Sequence, residues 1–295
     1  MYLFLDTETT GALPVERKLH SDISRYPRLV QIAWLLTDEY GSELRSQNFI
    51  IKPEGFQIPR SAARRHKLTT ETARKLGIPL CDALSALVKD LAAADCVVAH
   101  NVQFDALVLA GEFQRVGITP SPLEAAKPYC TMVSSTRICG LRNGPKGYKW
   151  PTLLELHTFL FGDEYRNAHN ALADVRACTK CFFELRQRGV DFDSAFDIQI
   201  LFDELYEYAD RCPWFNTRKF VDNVYAQFIA SGSISAKQRA VIIRIRDMLR
   251  QKSELAPAVA QSNSDLDTSS RTDEATVVPA FLRLLLSNFL HQWRI

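Results

Sequence analysis

The stretch "YLFLDTETTG", residues 2–11, places two acidic side chains at the end of an apolar run. The run predicts a buried β-strand over residues 2–6. Because side chains alternate across a strand, Asp6 and Glu8 point to the same face, about 7 Å apart. Two carboxylates that close repel each other unless a cation, a basic side chain or water lies between them. The rest of the sequence has to show which of these the pair binds.

The segments that follow predict a mixed sheet with helices packed on it, an α/β class. "RLVQIAWLLTD" (28–38) and "SQNFIIKP" (46–53) predict two more strands, and the turn residues "DEYG" (38–41) between them indicate an antiparallel meander. A fourth, short strand is predicted at "CVVAHN" (96–101). Apolar spacing and terminal glycines predict helices over residues 69–77, 80–94, 104–117, 151–162 and 170–189.

The 295 residues are predicted to divide into four parts. Residues 1–189 form the α/β domain, and residues 190–252 form a small helical extension. Residues 253–276 are rich in Ser, Asp, Thr and Ala and are predicted to be a flexible linker. Residues 277–295 are apolar again and are predicted to form a C-terminal helix or tail.

The composition indicates a soluble globular protein, with 46% apolar and 24% charged residues. A net charge of +2 neither indicates nor excludes a nucleic-acid partner. The apolar run "AFLRLLLSNFL" near the C-terminus is too short for a membrane span and is broken by Arg283. The first residues lack the basic segment of a secretory signal. We therefore expect a cytoplasmic protein with free thiols and no membrane association.

Three further residues that could bind a metal or move a proton lie where elements begin or end. Asp105 follows "VVAHNVQF", which reads as a strand, a loop and the first turn of a helix. His169 and Asp174 both lie in "AHNALADVRA". Side chains five residues apart on a helix are offset by roughly 140°. His169 can therefore face Asp174 only from the loop that precedes the helix.

The segments "FLDTETTG", "AHNVQFD" and "HNALADV" resemble the three motifs of the DEDDh-type 3′→5′ exonucleases. This family includes the proofreading subunits of bacterial polymerases and has a ribonuclease H-like fold. The residues at its five signature positions are Asp6, Glu8, Asp105, His169 and Asp174. The resemblance covers about residues 1–188 and implies that the chain hydrolyses phosphodiester bonds from 3′ ends.

The resemblance also implies two divalent metal ions, Mg²⁺ or Mn²⁺, bound by Asp6, Glu8, Asp105 and Asp174. His169 would be the general base for the attacking water, since histidine titrates near ~6.5. Paired cations stabilise charge on the attacking and leaving oxygens, and Mg²⁺ prefers carboxylate ligands. The alternative is structural: a solvated strand end, a helix-start acid at Asp105, a loop histidine and a solvated helical acid.

Six more residues are candidate substrate contacts because they lie beside the acids or in a loop that the family places near the substrate. They are Thr9, Thr10, His66, His100, Asn101 and Phe104. Phe104 is either a stacking partner for a base or a core aromatic. His66 lies where the family often has a His-Gly-Ile-Thr loop, and Lys67 in place of the glycine argues against a special backbone turn there.

Two basic segments have open interpretations. Arg64, Arg65 and Lys67 either contact phosphates or form a solvated turn. "RNGPKGYKW" (142–150) mixes basic and aromatic residues, which suits either contact with a single strand or a plain surface loop.

Together these observations predict a metal-dependent 3′→5′ exonuclease that releases nucleoside 5′-monophosphates from single-stranded ends. DNA is the preferred substrate, and RNA or short oligoribonucleotides are the alternative. A second hypothesis is a nuclease module that its C-terminal region recruits to a polymerase, a helicase or another partner in DNA replication or repair. A third is an inactive nucleic-acid binder, against which the five intact signature residues argue.

Overall fold

The computed structural model of the chain describes residues 1–13, 26–118, 123, 125–142, 148–210, 217–231 and 234–261. A five-stranded mixed sheet lies at its centre with helices on both faces. This arrangement confirms the predicted α/β class.

The sheet has the strand order β3-β2-β1-β4-β5, so the strand that carries the first two acids is central. The strands are β1 (Tyr2–Thr9), β2 (Leu29–Thr37), β3 (Glu43–Ile50), β4 (Cys96–Ala99) and β5 (Lys127–Cys130). β1, β2 and β3 form the predicted antiparallel meander, whereas β4 and β5 run parallel to β1. β5 was not predicted, because its four residues include Pro128 and lack the β-branched residues that mark β4. A proline is tolerated there because β5 is an edge strand.

Ten helices lie in the described ranges. They are α1 (Arg60–His66), α2 (Thr70–Leu76), α3 (Leu80–Leu91), α4 (Val102–Val116), α5 (Thr131–Cys139), α6 (Leu153–Phe161), α7 (Ala171–Gln187), α8 (Phe192–Asp210), α9 (Arg218–Ser231) and α10 (Ala236–Gln261). The sequence did not predict α1 and α5. α1 has only one buried residue, His66, so it lacks an apolar period. None of the helices in the described part of the chain is both long enough and apolar enough to cross a bilayer.

Two apolar layers enclose the sheet. On one face, Leu3 and Leu5 of β1 pack with residues of α3 and α4, including Leu109. On the other face, Phe4 packs with α6 and α7, including Phe182. Successive residues of β1 therefore point alternately toward α4 and toward α7, which decides where its acids go.

Helices α8, α9 and α10 share a third apolar cluster, which includes Phe202, Val224 and Ile242. The boundary of this extension at residue 190 stays a prediction. α10 continues to Gln261, so residues 253–261 are helical and not a flexible linker as predicted. Ala, Leu, Glu and Gln among these residues favour a helix, although Pro257 lies within the segment. Residues 262–276 and the predicted tail 277–295 lie outside the described residues.

The turn after α1 also differs from the prediction. Lys67 adopts the left-handed conformation, with φ 65° and ψ 10°. Its backbone N–H donates to the carbonyl oxygen of Ala63 at 2.9 Å, and its ammonium donates to the carbonyl oxygen of Arg64 at 2.6 Å. The special backbone turn that the missing glycine argued against is therefore present, with lysine in the conformation that glycine favours.

Candidate active site

The two acids of β1 lie where this strand extends past its neighbour. β1 pairs with β4 only as far as Phe4, opposite Val98. Beyond that point the chain of β4 turns away into α4 through Asn101, whose φ is 80°. Asp6 and Glu8 follow Phe4 by two and four residues, so their side chains point toward α7.

Asp105 approaches the same place from the opposite face of the sheet. It lies in the first turn of α4 and is buried. Its Oδ1 accepts two hydrogen bonds from Thr7, one from the backbone N–H at 3.0 Å and one from the hydroxyl at 2.7 Å. Thr7 lies between Asp6 and Glu8 in the sequence and points to the α4 face. The hydrogen bonds of this one residue therefore fix Asp105 beside the two strand acids.

His169 and Asp174 complete the cluster from α7. This helix begins at Ala171, and the side chain of Asn170 caps it by accepting from the N–H of Ala173 at 3.3 Å. His169 precedes the cap with φ 67°, so it lies in the loop, and its backbone N–H donates to Oδ2 of Asp174 at 3.1 Å. Glu8, His169 and Asp174 each present one ligand atom, and these atoms lie within 4.8 Å of one another.

The electrostatics of the cluster favour a bound cation. Burial raises the pKa of all four carboxyls. For Glu8 the pKa reaches about 8, because the charges of Asp174 and Asp105 add to burial. For Asp105 it reaches about 7, and the two hydrogen bonds from Thr7 hold it down in part. The pKa of Asp6 rises well above its ordinary value for the same reasons of burial and acidic neighbours. A set of oxygen donors that repel one another is the set that hard divalent cations bind.

All eleven predicted site residues line one open cavity of about 480 Å³. They are Asp6, Glu8, Thr9, Thr10, His66, His100, Asn101, Phe104, Asp105, His169 and Asp174. The exposed side chain of Arg65 also lines the cavity, and its positive charge lowers the pKa of Glu8. The structure therefore brings together residues that are up to 168 positions apart in the chain, from Asp6 to Asp174.

His100 forms a rigid part of the cavity wall. Its Nε2 lies 2.9 Å from the carbonyl oxygen of Pro151, and its Nδ1 lies 3.0 Å from the hydroxyl of Thr131. Burial lowers its pKa to about 4, so the ring is neutral. Because a carbonyl only accepts, the single proton lies on Nε2, and Nδ1 faces the hydroxyl of Thr131, which also lies 3.3 Å from the carbonyl oxygen of Ala99. Both ring nitrogens therefore have hydrogen-bond partners within the protein. A contact of His100 with substrate stays a prediction, and it would have to use the ring surface and not the nitrogens.

The two threonines after the acids are also held by the protein. The hydroxyl of Thr9 donates to the carbonyl oxygen of Gly11 at 2.6 Å, and the hydroxyl of Thr10 accepts from the N–H of Arg28 at 2.9 Å. Phe104 lines the cavity and also packs against the core. Their contacts with substrate stay predictions, as do those of His66 and Asn101. In "RNGPKGYKW", residues 143–147 lie outside the described residues.

Sequence reasoning missed Tyr165. Its hydroxyl donates to Oδ1 of Asp174 at 2.6 Å. Burial raises the pKa of Tyr165, and the bond to Asp174 raises it further. A tyrosine in the loop four residues before His169 has no distinctive pattern, and only the folded loop brings its hydroxyl to the carboxylate.

Comparison with known proteins agrees with this geometry. The sequence model of the family described as Exonuclease (RNase_T) matches residues 3–182. No curated protein sequence matches the chain.

Solved structures share the fold. Exonuclease I of E. coli in complex with a dT13 oligonucleotide is 24% identical, with 63% of this chain and 40% of that chain covered and a TM-score of 0.51. The moderately thermophilic Exonuclease I from Methylocaldum szegediense is 20% identical, with 73% and 46% covered and a TM-score of 0.53. The matched part spans less than half the length of either protein. This likeness supports the predicted ribonuclease H-like fold. Because the family model matches more than half of the 295 residues, the chain belongs to the exonuclease family.

Proposed function

We propose that the chain is a metal-dependent 3′→5′ exonuclease that releases nucleoside 5′-monophosphates from single-stranded DNA. The observation that carries this proposal is the meeting of four carboxylates and one histidine in a single open cavity. Three similar structures, all of E. coli Exonuclease I, hold a DNA oligonucleotide or single-stranded DNA, which favours DNA over RNA as the substrate.

The four carboxylates fit divalent cations. Asp6, Glu8, Asp105 and Asp174 supply hard oxygen donors. Burial raises the pKa of all four, and acidic neighbours raise the pKa of Asp6 and Glu8 further, so free charges in the cluster are disfavoured. Two bound Mg²⁺ or Mn²⁺ ions would stabilise the charge that develops on the attacking and leaving oxygens. E. coli Exonuclease I has also been solved with a zinc ion bound.

The protein's own residues would orient the water and take its proton. His169 is exposed at the cavity, and its backbone N–H is fixed to Asp174. As the water oxygen bonds to phosphorus, the imidazole accepts the water proton. The bond from phosphorus to O3′ then breaks, and that oxygen takes a proton from solvent. Arg65 lies where it can contact the phosphate, and Phe104 can stack on the terminal base.

A time course on 5′-labelled oligonucleotides tests this function. Matched single-stranded DNA and RNA are incubated with Mg²⁺, with Mn²⁺ and with chelator. We expect a ladder that shortens from the 3′ end, needs metal and forms faster on DNA. Faster shortening of RNA than of DNA would mean that RNA is the preferred substrate. No degradation of either strand would contradict the enzymatic function.

The helices after residue 190 are the basis of a second proposal, which concerns recruitment to a partner protein. α8–α10 lie beyond the matched residues 3–182 and have an apolar cluster of their own. We propose that this extension, together with the residues that follow it, recruits the nuclease to a polymerase, a helicase or another DNA-processing partner. Pull-down with the whole chain and with a chain shortened before residue 190 would test it. Equal capture of a partner by both would contradict the proposal.

A further inference from the structure

A second cavity of about 330 Å³ lies on the outer face of α7. Tyr165, Asn167 and Asn170 line it, and these residues belong to the same short segment as His169. The hydroxyl of Tyr165 meanwhile reaches Asp174 at 2.6 Å. The segment 165–174 therefore contributes residues to both cavities, with His169 and Asp174 on the catalytic side.

The lining of the second cavity is strongly positive. Arg166, Arg176 and Lys180 line it and are exposed, and none of the described lining residues is acidic. Within the described part of the chain, none of these three cations makes an ion pair or a hydrogen bond. By contrast, Arg188 at the end of α7 binds Glu184 at 2.7 Å. The three cations are therefore available to an anion.

The spacing of the cations suits an extended anion. Arg176 and Lys180 lie four residues apart on α7, so they occupy the same helical face about 6 Å apart along the axis. Like charges at this spacing repel, which costs the free protein stability and favours a bound anion. Ala173 and Ala177 lie on the same face and leave the floor of the cavity open. Arg176 and Lys180 lie along the helix and Arg166 comes from the loop before it, so the cations are contributed by two elements, which fits successive phosphates of a strand better than a single small ion.

Aromatic side chains border the same cavity. The buried ring of His157 lines it, with Nδ1 donating to the carbonyl oxygen of Asp163 at 2.9 Å. The ring of Phe161 lies 4.7 Å from the ring of His157 and is 41% exposed, while the ring of Tyr165 lies 5.3 Å from it. Exposed aromatic rings beside basic side chains are the combination that holds single-stranded nucleic acid.

We propose that this cavity binds the phosphodiester backbone of the substrate strand at a distance from the bond being cleaved. Arg166, Arg176 and Lys180 contact phosphates, and Phe161 offers a face to a base. The proposal rests on the proposed function, because it assigns an anchoring site for the same strand. It predicts that long substrates gain affinity which the shortest ones do not.

The test is a triple variant, Arg166→Gln/Arg176→Gln/Lys180→Gln, compared with the whole wild-type chain. The matched control is Arg74→Gln/Lys75→Gln/Lys89→Gln, which removes the same charge from exposed positions on α2 and α3. α3 packs on the face of the sheet opposite α7. Circular dichroism melting checks that both variants fold. Because the altered side chains are exposed, we expect both to melt close to wild type.

The first readout is the binding of a fluorescent single-stranded DNA of about twenty nucleotides, by anisotropy in chelator, where no cleavage is needed. We expect the Kd of the triple variant to rise about tenfold at about 0.15 M salt. The slope of log Kd against log salt should fall by about two, because each phosphate contact on a single strand contributes about 0.7. The control should keep the wild-type slope. An unchanged slope in the triple variant would overturn the proposal.

The second readout is hydrolysis of the same DNA and of a dinucleotide, with Mg²⁺. We expect the triple variant to show a raised KM on the long strand and little change on the dinucleotide, which is too short to reach the second cavity. An equal loss on both substrates would overturn the proposal. A site for free phosphate alone would instead show inhibition of wild type by millimolar phosphate together with an unchanged Kd for DNA in the triple variant, and that pair of results would overturn strand binding. If wild type cleaves neither substrate, the proposed function fails while the binding readout still decides the second site.

Discussion

Two neutral donors hold the two helix acids, Asp105 and Asp174, beside the end of β1. Thr7 gives two hydrogen bonds to Oδ1 of Asp105, and Tyr165 gives one to Oδ1 of Asp174. These bonds fix the carboxylates without supplying a positive charge. The repulsion between the carboxylates therefore persists in the metal-free protein, and it raises the pKa of Glu8 to about 8 and contributes to the raised pKa of Asp6.

The metal-free protein should lose stability as the pH rises from about 6.5 to 8.5. A carboxyl whose pKa is raised on folding stabilises the fold below its unfolded value near ~4, and the stabilisation is lost as the pH rises through the folded pKa. For each group the loss begins near pH ~4 and is complete above its folded pKa, about 7 for Asp105 and about 8 for Glu8, so the chosen window covers the last part of the loss. Buried His100 lowers stability at acidic pH instead. Below about 6.5 a histidine becomes charged in the unfolded chain, whereas the folded ring, with a pKa of about 4, stays neutral.

Thermal unfolding in chelator measures this effect, and we expect Tm to fall by several degrees across the window. Mg²⁺ should restore Tm most at the high end, since it binds the ionised carboxylates. The variant Glu8→Gln should show a weaker dependence on pH. A Tm in chelator that stays constant or rises would contradict the assigned electrostatics.

The change Tyr165→Phe should weaken metal activation without disturbing the fold. It removes the donor to Asp174, and the loss of such a supporting bond reduces metal affinity by roughly tenfold or more. A titration of hydrolysis with Mg²⁺ should show the half-maximal concentration shifted upward by that factor. The control is Tyr129→Phe, which removes an equally short 2.6 Å bond to Asp193 away from the acids. Equal Mg²⁺ curves for wild type and Tyr165→Phe would refute a positioning role.

At the scale of elements, sequence pattern predicted the long segments and the short elements with a clear local signal, such as β4, but missed β5, α1 and α5. β2 is a run of nine buried residues, and α7 has a cap and an apolar face, so both carry clear signals. β5 has four residues, including a proline, and depends on pairing with β4. α1 lies in a polar stretch and is held by contacts with distant residues, as in the packing of Ala62 and Ala63 beside Val30. Such elements are specified by tertiary contacts that no local window contains.

The turn at Lys67 allows a direct test at this scale. A lysine with φ 65° is in a conformation that glycine adopts without strain. Lys67→Gly should therefore stabilise the protein by roughly 0.5–1 kcal/mol, measured by urea unfolding. The control is Arg64→Gly inside α1, where glycine should destabilise by about 1 kcal/mol. Destabilisation by Lys67→Gly would mean that the side-chain contact to Arg64 outweighs the strain.

For the whole molecule, the site depends on contacts that pattern alone does not give. The spacing of Asp6 and Glu8 along a strand follows from the sequence, but their meeting with Asp105 and Asp174 was inferred only through the resemblance to a family. The structure supplies the reasons: β1 extends past β4, and Thr7 holds Asp105 from the far face. Tyr165 has no distinctive pattern in the sequence, and the four-residue spacing of Arg176 and Lys180 does not reveal the cavity that they line.

Removal of residues 262–295 should leave folding and catalysis intact. The apolar cluster of α8–α10 already includes Ile242 and Leu249, both fully buried, from the part of α10 that remains. We expect the shortened chain to melt within a few degrees of the whole chain and to hydrolyse DNA within about twofold of its rate. A chain cut inside α10, before Ile242, is the control and should lose several kcal/mol. Unfolding of the chain that ends at Gln261 would show that the last residues are structural.

The most direct test of the central claim is a pair of measurements on Asp6→Asn. This change keeps the shape of the side chain and removes one charge from a cluster of four. We predict that hydrolysis of 5′-labelled single-stranded DNA with Mg²⁺ falls at least about a thousandfold, since several kcal/mol of charge stabilisation depend on the acids. We also predict that Tm in chelator at pH 8 stays the same or rises, because a repulsion has been removed. Full activity in a folded Asp6→Asn protein would contradict the account.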